Sequence, residues 1–536
     1  MKKQSFLKGV MLLTAAGIIV KFIGFVYRVV LTNLPGYGDE GNGIYGAGYQ
    51  VYLILYAIST TGFPAAISRM VAEKMAGNDW RGAHKVFKVS LVLLSVTGVL
   101  FSLIFFLCSG YIVKIISNER TVYTMIALSP TIFFVSLMAV FRGYFQGMRD
   151  MSPQANSQII EQSGKTVATV ILAYLLLPYG VEIAAAGATL GTTIGAAVGA
   201  AYLMSLYNKR KKELWSNIRR FCTRKKQDSV PYIIKNLFKV SVPVSLGAVI
   251  LTAANIIDLA TVMSLLSKAG IDSGFANRLY GILTGKCYVL VSFPVAVSTA
   301  LATSLVPTIA GAKASRDYKS VRDKIQASLR LTILIGLPSS AGMAILADPI
   351  LKMLFPGSSE GAFLLSTSAF IVVFMGMTQT LAGILQGLGK VLVPTAGLFA
   401  GALVKLIINF SLMPLPAINI RGAVYGTLAC YIVSTVVNMV ALKRNFRLNL
   451  DICNLIIKPV VATVIMAAFT YFAYYYLYML TASNFISTVG AILISAVVFG
   501  ILTLVLRVVK MEEISMLPFG ENVNRIFRKM KLHKRR

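Results

Sequence analysis

Apolar residues come in runs of about twenty along nearly the whole chain, separated by short polar links. A helix of about 20 residues covers the hydrocarbon core of a bilayer. The runs therefore predict about fourteen membrane-crossing helices, centred near residues 20, 55, 97, 132, 168, 195, 250, 295, 335, 375, 402, 431, 466 and 497. The fold class is an all-α integral membrane protein, with little sequence left for a soluble domain.

The runs carry an internal echo. Phe63-Pro64-Ala65-Ala66-Ile67-Ser68 returns 230 residues later as Phe293-Pro294-Val295-Ala296-Val297-Ser298. Gly143-Tyr144-Phe145-Gln146-Gly147 returns as Gly383-Ile384-Leu385-Gln386-Gly387, and Lys165 and Lys405 each stand 22 residues past the leading glycine. Gly187-Ala188-Thr189-Leu190-Gly191-Thr192 returns as Gly422-Ala423-Val424-Tyr425-Gly426-Thr427. Two copies of six spans each are implied. Six is even, so the copies are parallel, and duplicated halves in a membrane protein are the architecture of alternating-access transporters. The chain divides into a first lobe 1–206, a basic linker 207–235, a second lobe 236–445, two added helices 446–510 and a basic tail 511–536. Pro64 and Pro294, kept in place by the repeat, are candidate hinges, because an interior proline frees a carbonyl and bends its helix. Gly187, Gly191, Gly195 and Gly199 form a smooth stripe for close helix packing.

Composition agrees: 56% of residues are hydrophobic and 13% charged, with a mean hydropathy of +0.73. The net charge of +32 would suggest nucleic acid in a soluble protein, but its placement argues against that partner. Link 32–43 carries Asp39 and Glu40 and no Lys or Arg, whereas the next holds Lys74, Arg81, Lys85 and Lys88. Link 207–239 is dense in Lys and Arg, and Lys313, Arg316, Lys319, Arg322 and Lys324 fill another on the same side. This alternation is the positive-inside rule and places both termini in the cytoplasm. The tail Arg525 to Arg536 then lies against anionic headgroups. Cys108, Cys222, Cys287, Cys430 and Cys453 lack paired spacing, and His84 and His533 flank basic segments. Neither a disulfide nor a metal site is expected.

Charges within the spans are expensive, about 2.5–3.5 kcal/mol each on insertion scales, so each needs a reason. Gly17, Lys21, Gly24 and Arg28 share one face of the first helix, a cationic stripe suited to a wet cavity that attracts an anion. Arg278 and Lys286, eight residues apart in the eighth span, supply cations from the second copy. Glu161 and Lys165 form an i, i+4 pair beside Gln158, expected to be an internal ion pair. Asp258, on one face with Asn255, either holds a coupling cation or proton or pairs with Lys405. Arg69 and Arg142 are expected as interface anchors. Cations dominate, the reverse of what a pump for cationic drugs needs, and a phosphate-bearing ligand fits.

Phe6-Leu7-Lys8-Gly9, Lys21-Phe22-Ile23-Gly24-Phe25-Val26-Tyr27-Arg28, Gly62 through Glu73, and Asn277-Arg278-Leu279-Tyr280 followed by Phe293-Pro294 and Pro307 resemble the stage V sporulation protein B and MurJ-type lipid II flippase family. That family sits in a superfamily with polysaccharide exporters and multidrug and toxin extruders. The resemblance spans almost the whole chain. It implies two lobes around a cavity for a sugar-diphosphate headgroup, and a groove for the polyprenyl tail on helices 13 and 14, which the Tyr-rich stretch Phe469 to Leu480 suits. The family's cavity arginine of helix 8 corresponds to Arg278; its helix 1 arginine falls on Tyr27, with Arg28 one place later. Some relatives hold sodium between helices 7, 11 and 12, which puts Asp258, Asn409 and Thr427 in view, with Lys405 beside them as a replacement for the ion. The expected function is a flippase, not an enzyme, in the bacterial plasma membrane. It would carry an undecaprenyl-diphosphate-type saccharide, above all lipid II, outward by alternating access about Lys21, Arg28, Arg278 and Lys286. No cofactor is expected, with Na+, protons or the membrane potential as the drive, and the protein is expected to be a monomer among membrane lipids. Export of another lipid-linked oligosaccharide is the alternative, and a cation-coupled drug extruder a more distant one. A membrane glycosyltransferase would need more carboxylates and a sizeable outer loop.

Overall fold

The computed structural model describes residues 6–148, 150–220, 228–356, 359–446, 451, 453–506 and 508. The basic tail 511–536, Cys222, His533 and the side chain of Asn255 lie outside the described residues. Every described element is a helix, and thirteen are long and apolar enough to cross a membrane. The run centred near 250 lies in a further long helix, Val230–Lys268. The described residues pack as two compact units, which cut across the duplication: those up to 290 with 355–360 and 395–433 form one, and those of 291–354, 361–394 and from 434 onward the other.

The first unit begins with α1 (Phe6–Thr32), α2 (Gly38–Ala57), α3 (Phe63–Ala76), α4 (Trp80–Ile115), α5 (Val122–Leu128), α6 (Thr131–Gly147), α7 (Ser152–Leu176) and α8 (Val181–Arg220). α9 (Val230–Lys268) and α10 (Ser273–Gly281) follow. The first part of the expected linker is thus not a link: 207–220 continues α8 as one helix. Between α2 and α3 lies a π-turn, Ile58–Gly62, immediately before Phe63-Pro64. Proline cannot donate to the preceding turn, and the wider turn absorbs the loss. The carbonyl of Ile58 accepts a hydrogen bond from Ser245 Oγ of α9 at 3.0 Å, so a neighbouring helix satisfies an acceptor in the distorted turn. Gly62 permits that approach, since a Cβ there would stand 2.3 Å from the Ser241 carbonyl oxygen.

The glycine stripe of α8 packs as expected. A Cβ on Gly191 would meet the backbone of Thr169, and one on Gly195 would meet Glu161 O at 2.6 Å and Lys165 Cβ at 2.7 Å. An aromatic cluster of Phe87, Phe141, Tyr144 and Tyr207 closes the interior beside α4, α6 and α8, with His84 stacked on Tyr207.

The second unit is built on α11 (Tyr288–Ala314), α12 (Tyr318–Ile345), α13 (Ala347–Leu354), α14 (Ala362–Ser368) and α15 (Ile371–Gly387). α16 (Leu392–Leu412) and α17 (Arg421–Asn445) belong mainly to the first unit and to both, respectively, and α18 (Lys458–Thr481) and α19 (Asn484–Val505) close the second. Thr470 of α18 and Ser495 of α19 share a buried 2.6 Å hydrogen bond, while Tyr471, Phe472, Tyr475 and Tyr476 remain exposed on α18.

Packing corrects the repeat register. A Cβ on Gly143 would meet Pro64 O, and one on Gly147 would meet Ser68 O and Val71 Cβ. In the second copy Gly383 faces Ala302 O, and Gly387 faces Val306 O and Ile309 Cβ. Those partners lie 238 positions on, so Ala302, not Pro294, occupies the place of Pro64. The Phe-Pro echo is therefore displaced from the packing equivalence by about two helical turns. Pro294 has no π-turn directly before it either: the second copy's π-turn is Ile282–Cys287, further upstream.

Candidate functional site

Arg28 and Lys165 meet over a common tyrosine. α1 packs on α7, with Gly24 against Gln162, and both cations turn toward α2. Arg28 Nη1 donates to Asn42 Oδ1 at 3.2 Å, and its guanidinium carbon lies 4.3 Å from the Tyr45 ring centre and 5.9 Å from that of Tyr27. Asn42 is held in turn by donating to Thr32 Oγ1 at 2.7 Å. Lys165 Nζ bonds Tyr49 OH at 3.2 Å, 4.3 Å from the Tyr49 ring centre and 5.6 Å from that of Tyr27. Tyr45, Tyr49, Tyr52 and Tyr56 follow one face of α2, with successive ring centres 5.5–5.7 Å apart. Tyrosine faces attract cations without cancelling their charge. Burial pushes the hydroxyl of Tyr37, in the link before α2, well above its ordinary range, so that group stays neutral. Among the described residues neither Arg28 nor Lys165 has a carboxylate partner. Two positive charges are left uncancelled.

The other expected pairings are redistributed. Glu161 does not pair with Lys165. It accepts from Arg142 Nη2 at 2.7 Å, and Arg142 Nε also donates to Ser157 at 2.9 Å. Arg142, expected at an interface, is therefore buried in an ion pair, because α6 crosses α7 just where Glu161 points. Arg69 pairs with Glu73 at the exposed surface. Lys286 is neutralised: its Nζ lies 2.8 Å from Asp39 Oδ2 in a fully buried pair. Asp39, which its acidic, cation-free link suggested was an outer loop residue, sits in the first turn of α2. Arg278 pairs with Glu360 at 2.8 Å with half-exposed side chains. The π-turn Ile282–Cys287, which begins after Arg278 and contains Lys286, puts the two residues out of helical phase, so the expected shared face is lost. Lys21 is exposed. Of the four expected headgroup residues, only Arg28 joins an uncompensated cationic cluster, and its partner there is Lys165. Lys165 had a signal of its own, the repeat position shared with Lys405.

Asp258, Lys405, Asn409 and Thr427 do come together. Asp258 Oδ2 accepts from Lys405 Nζ at 2.7 Å and from Thr427 Oγ1 at 3.4 Å. Asp258 Oδ1 accepts from Asn409 Nδ2 at 3.3 Å, and the same nitrogen reaches Thr261 Oγ1 at 2.9 Å. Tyr288 OH adds contacts to Asp258 and Thr427. Periodicity alone did not point to Tyr288 or Thr261. A sodium ion would need Asp258 as its anionic ligand, but the ammonium of Lys405 already takes that oxygen. The residues do not fit a resident free cation.

Near the ends of α2, α8 and α10, Arg120 bridges Glu40 at 2.5 Å and Glu182 at 2.7 Å. These residues line a cavity of about 490 Å³ with Asp272, Phe275 and Arg278.

An all-helical bundle of membrane spans, with cations and neutralised ion pairs inside, defines a membrane transporter fold. The chain belongs to the polysaccharide biosynthesis protein family, whose pattern matches residues 6–313, and a MatE pattern matches residues 283–411. It is 28% identical to stage V sporulation protein B of Bacillus subtilis over 97% of this chain and 98% of that one. It is 26% identical to the lipid II flippase MurJ of the same organism over 82% and 83% of the two chains. Among solved structures, the inward closed conformation of a lipid II flippase MurJ superposes with a TM-score of 0.68 at 15% identity, covering 92% of this chain and 98% of that one. An inward-facing multidrug resistance MATE family transporter gives 0.65 at 14% identity, over 81% and 98%. The membrane flippase and transporter class is thus common to sequence relatives and fold.

Proposed function

We propose that this protein is a flippase that moves a polyprenyl-diphosphate-linked saccharide, foremost lipid II, from the inner to the outer leaflet of the bacterial plasma membrane. The observation that carries this reading is the Arg28–Lys165 pair, two cations held by tyrosines and the Asn42 amide with no carboxylate partner among the described residues. A diphosphate supplies the missing charge and accepts the hydrogen bonds both groups can still donate. Lys21 lies seven residues before Arg28, roughly 10 Å along the helix, and serves as the first contact on the cytoplasmic side. Arg278, which lines the cavity around Arg120, serves on release. The exposed aromatic face of α18 suits the polyprenyl tail. Both termini are cytoplasmic by the placement of Lys and Arg, and the chain works as a monomer.

No reacting groups are required of it: it is a transporter rather than an enzyme. The membrane potential supplies the drive. With the cytoplasm negative, outward movement of an anionic headgroup is downhill by about 2.3 kcal/mol per charge per 100 mV. Neither Arg28 nor Lys165 reads a sugar, so another lipid-linked oligosaccharide meets the same two cations.

The test is a fluorescent lipid-diphosphate flipping assay in proteoliposomes with Arg28→Gln and Lys165→Met. Each variant should fold normally, because no carboxylate is orphaned, and each should lose at least tenfold in flipping rate. Unchanged flipping by the double variant would remove this pair from the site. Rescue of a strain depleted of its lipid II flippase separates lipid II from other glycolipids.

A further inference from the structure

An oxygen-lined site surrounds Asp258 within the first unit. Besides the carboxylate itself, Thr427 Oγ1 and Tyr288 OH reach Asp258 Oδ2, and Asn409 Nδ2 spans from Asp258 Oδ1 to Thr261 Oγ1. Asn409 Oδ1 is buried and has no hydrogen-bond partner. Oxygen ligands around a single carboxylate are what a hard monovalent cation takes, and a bare carboxylate at 3% exposure in a membrane span requires a cation beside it. The chain brings that cation itself. Lys405 stands one helical turn before Asn409 on α16, and its ammonium reaches Asp258 at 2.7 Å.

Gly426 of α17 makes the room. A Cβ at that position would lie 2.3 Å from Asn409 Oδ1 and 3.3 Å from Lys405 Cγ. The same construction recurs at Lys165, whose Cβ would stand 2.7 Å from a Cβ on Gly195. In both copies a lysine lies against a glycine of the following span. What differs is the group it meets: a tyrosine in the first copy and a carboxylate in the second.

We propose that Lys405 is a tethered cation that fills the Asp258 site, so that this protein binds no free sodium there and does not draw on a sodium gradient through it. A covalently held ammonium competes at an effective concentration no dissolved ion matches. The proposal does not depend on which lipid is carried. It also assigns a latent property to the remaining oxygens: without the ammonium, they and Asp258 form a sodium site.

Purified full-length protein in detergent is titrated with NaCl against choline chloride at constant ionic strength, reading the unfolding midpoint and equilibrium binding of radioactive sodium. Wild type should show no sodium-specific shift and no stoichiometric binding. Lys405→Met should gain a saturable rise in midpoint and one bound sodium per chain, since a ligand of the native state stabilises it by mass action. Asp258→Asn/Lys405→Met, neutral at both positions, should lose both and guards against a Lys405→Met chain too unstable to purify without sodium. Saturable sodium binding by wild type would overturn the proposal, as would a folded Lys405→Met that ignores sodium.

Discussion

Lys286 Nζ stands 2.8 Å from Asp39 Oδ2, with the two side chains 0% and 1% exposed. The pair joins the first turn of α2 to the π-turn after α10, and so ties the first copy of the repeat to the second within one packing unit. Close backbone contact surrounds it. A Cβ on Gly281 would lie 1.7 Å from Asp39 O, and one on Gly43 would lie 1.9 Å from Asn277 O. Asn118 Nδ2 bonds Asn277 Oδ1 at 2.8 Å.

Removing one partner leaves the other charge buried. Asp39→Asn or Lys286→Met alone should each destabilise the protein by about 3–5 kcal/mol. The double variant Asp39→Asn/Lys286→Met should recover most of that loss. Thermal unfolding of the purified protein reads the three values.

Gly281→Ala drives a methyl group into a backbone carbonyl that cannot yield. The expected cost is at least about 1–3 kcal/mol, the usual range for overpacking. Gly17→Ala, with nothing within 4 Å of the added carbon, should be neutral or stabilising by up to about 1 kcal/mol. Unfolding midpoints of the two variants, compared directly, check the contrast.

Arg142, Glu161 and Lys165 permit a double-mutant cycle. Arg142→Met with Glu161→Gln should show a coupling of about 0.5–3 kcal/mol, as residues in direct contact do. Glu161→Gln with Lys165→Met should couple far more weakly, despite the i, i+4 spacing. A stronger Glu161–Lys165 coupling would restore the pairing that spacing alone suggests.

The junction around Asn277 has to open if the spans alternate. Cysteines placed at Asn118 and Asn277, whose side chains now touch, should crosslink on oxidation. Flipping should stop in the oxidised sample and return on reduction. Continued flipping by fully crosslinked protein would show that this junction does not part.

The membrane class, the helical spans and the duplication were all readable from the residues. A span must be apolar for about 20 residues wherever it sits, and a duplication leaves residues at matching intervals. The glycine stripe of α8 was legible for a related reason, since small side chains at every fourth position have only one face to offer. The Asp258–Lys405 pair was legible as one of two alternatives: an isolated acid and an isolated base, each costly in lipid, are few enough to match by elimination.

Other pairings were not. Glu161 chose Arg142 over Lys165 because helix crossing brings residues 19 apart in sequence closer than an adjacent turn does. Lys286 and Arg278 lost their common face to a π-turn that no composition rule marks. The Phe-Pro echo matched letters where packing matches Ala302 to Pro64.

Residue order alone settles that the chain lives in a bilayer, crosses it many times and was built twice, because the hydrocarbon core imposes its demand on each segment separately. Which buried charges cancel and which remain free to meet an anion is settled only when the helices cross. Charge compensation depends on distances of a few ångströms between segments as many as 247 residues apart, and no local pattern encodes those distances.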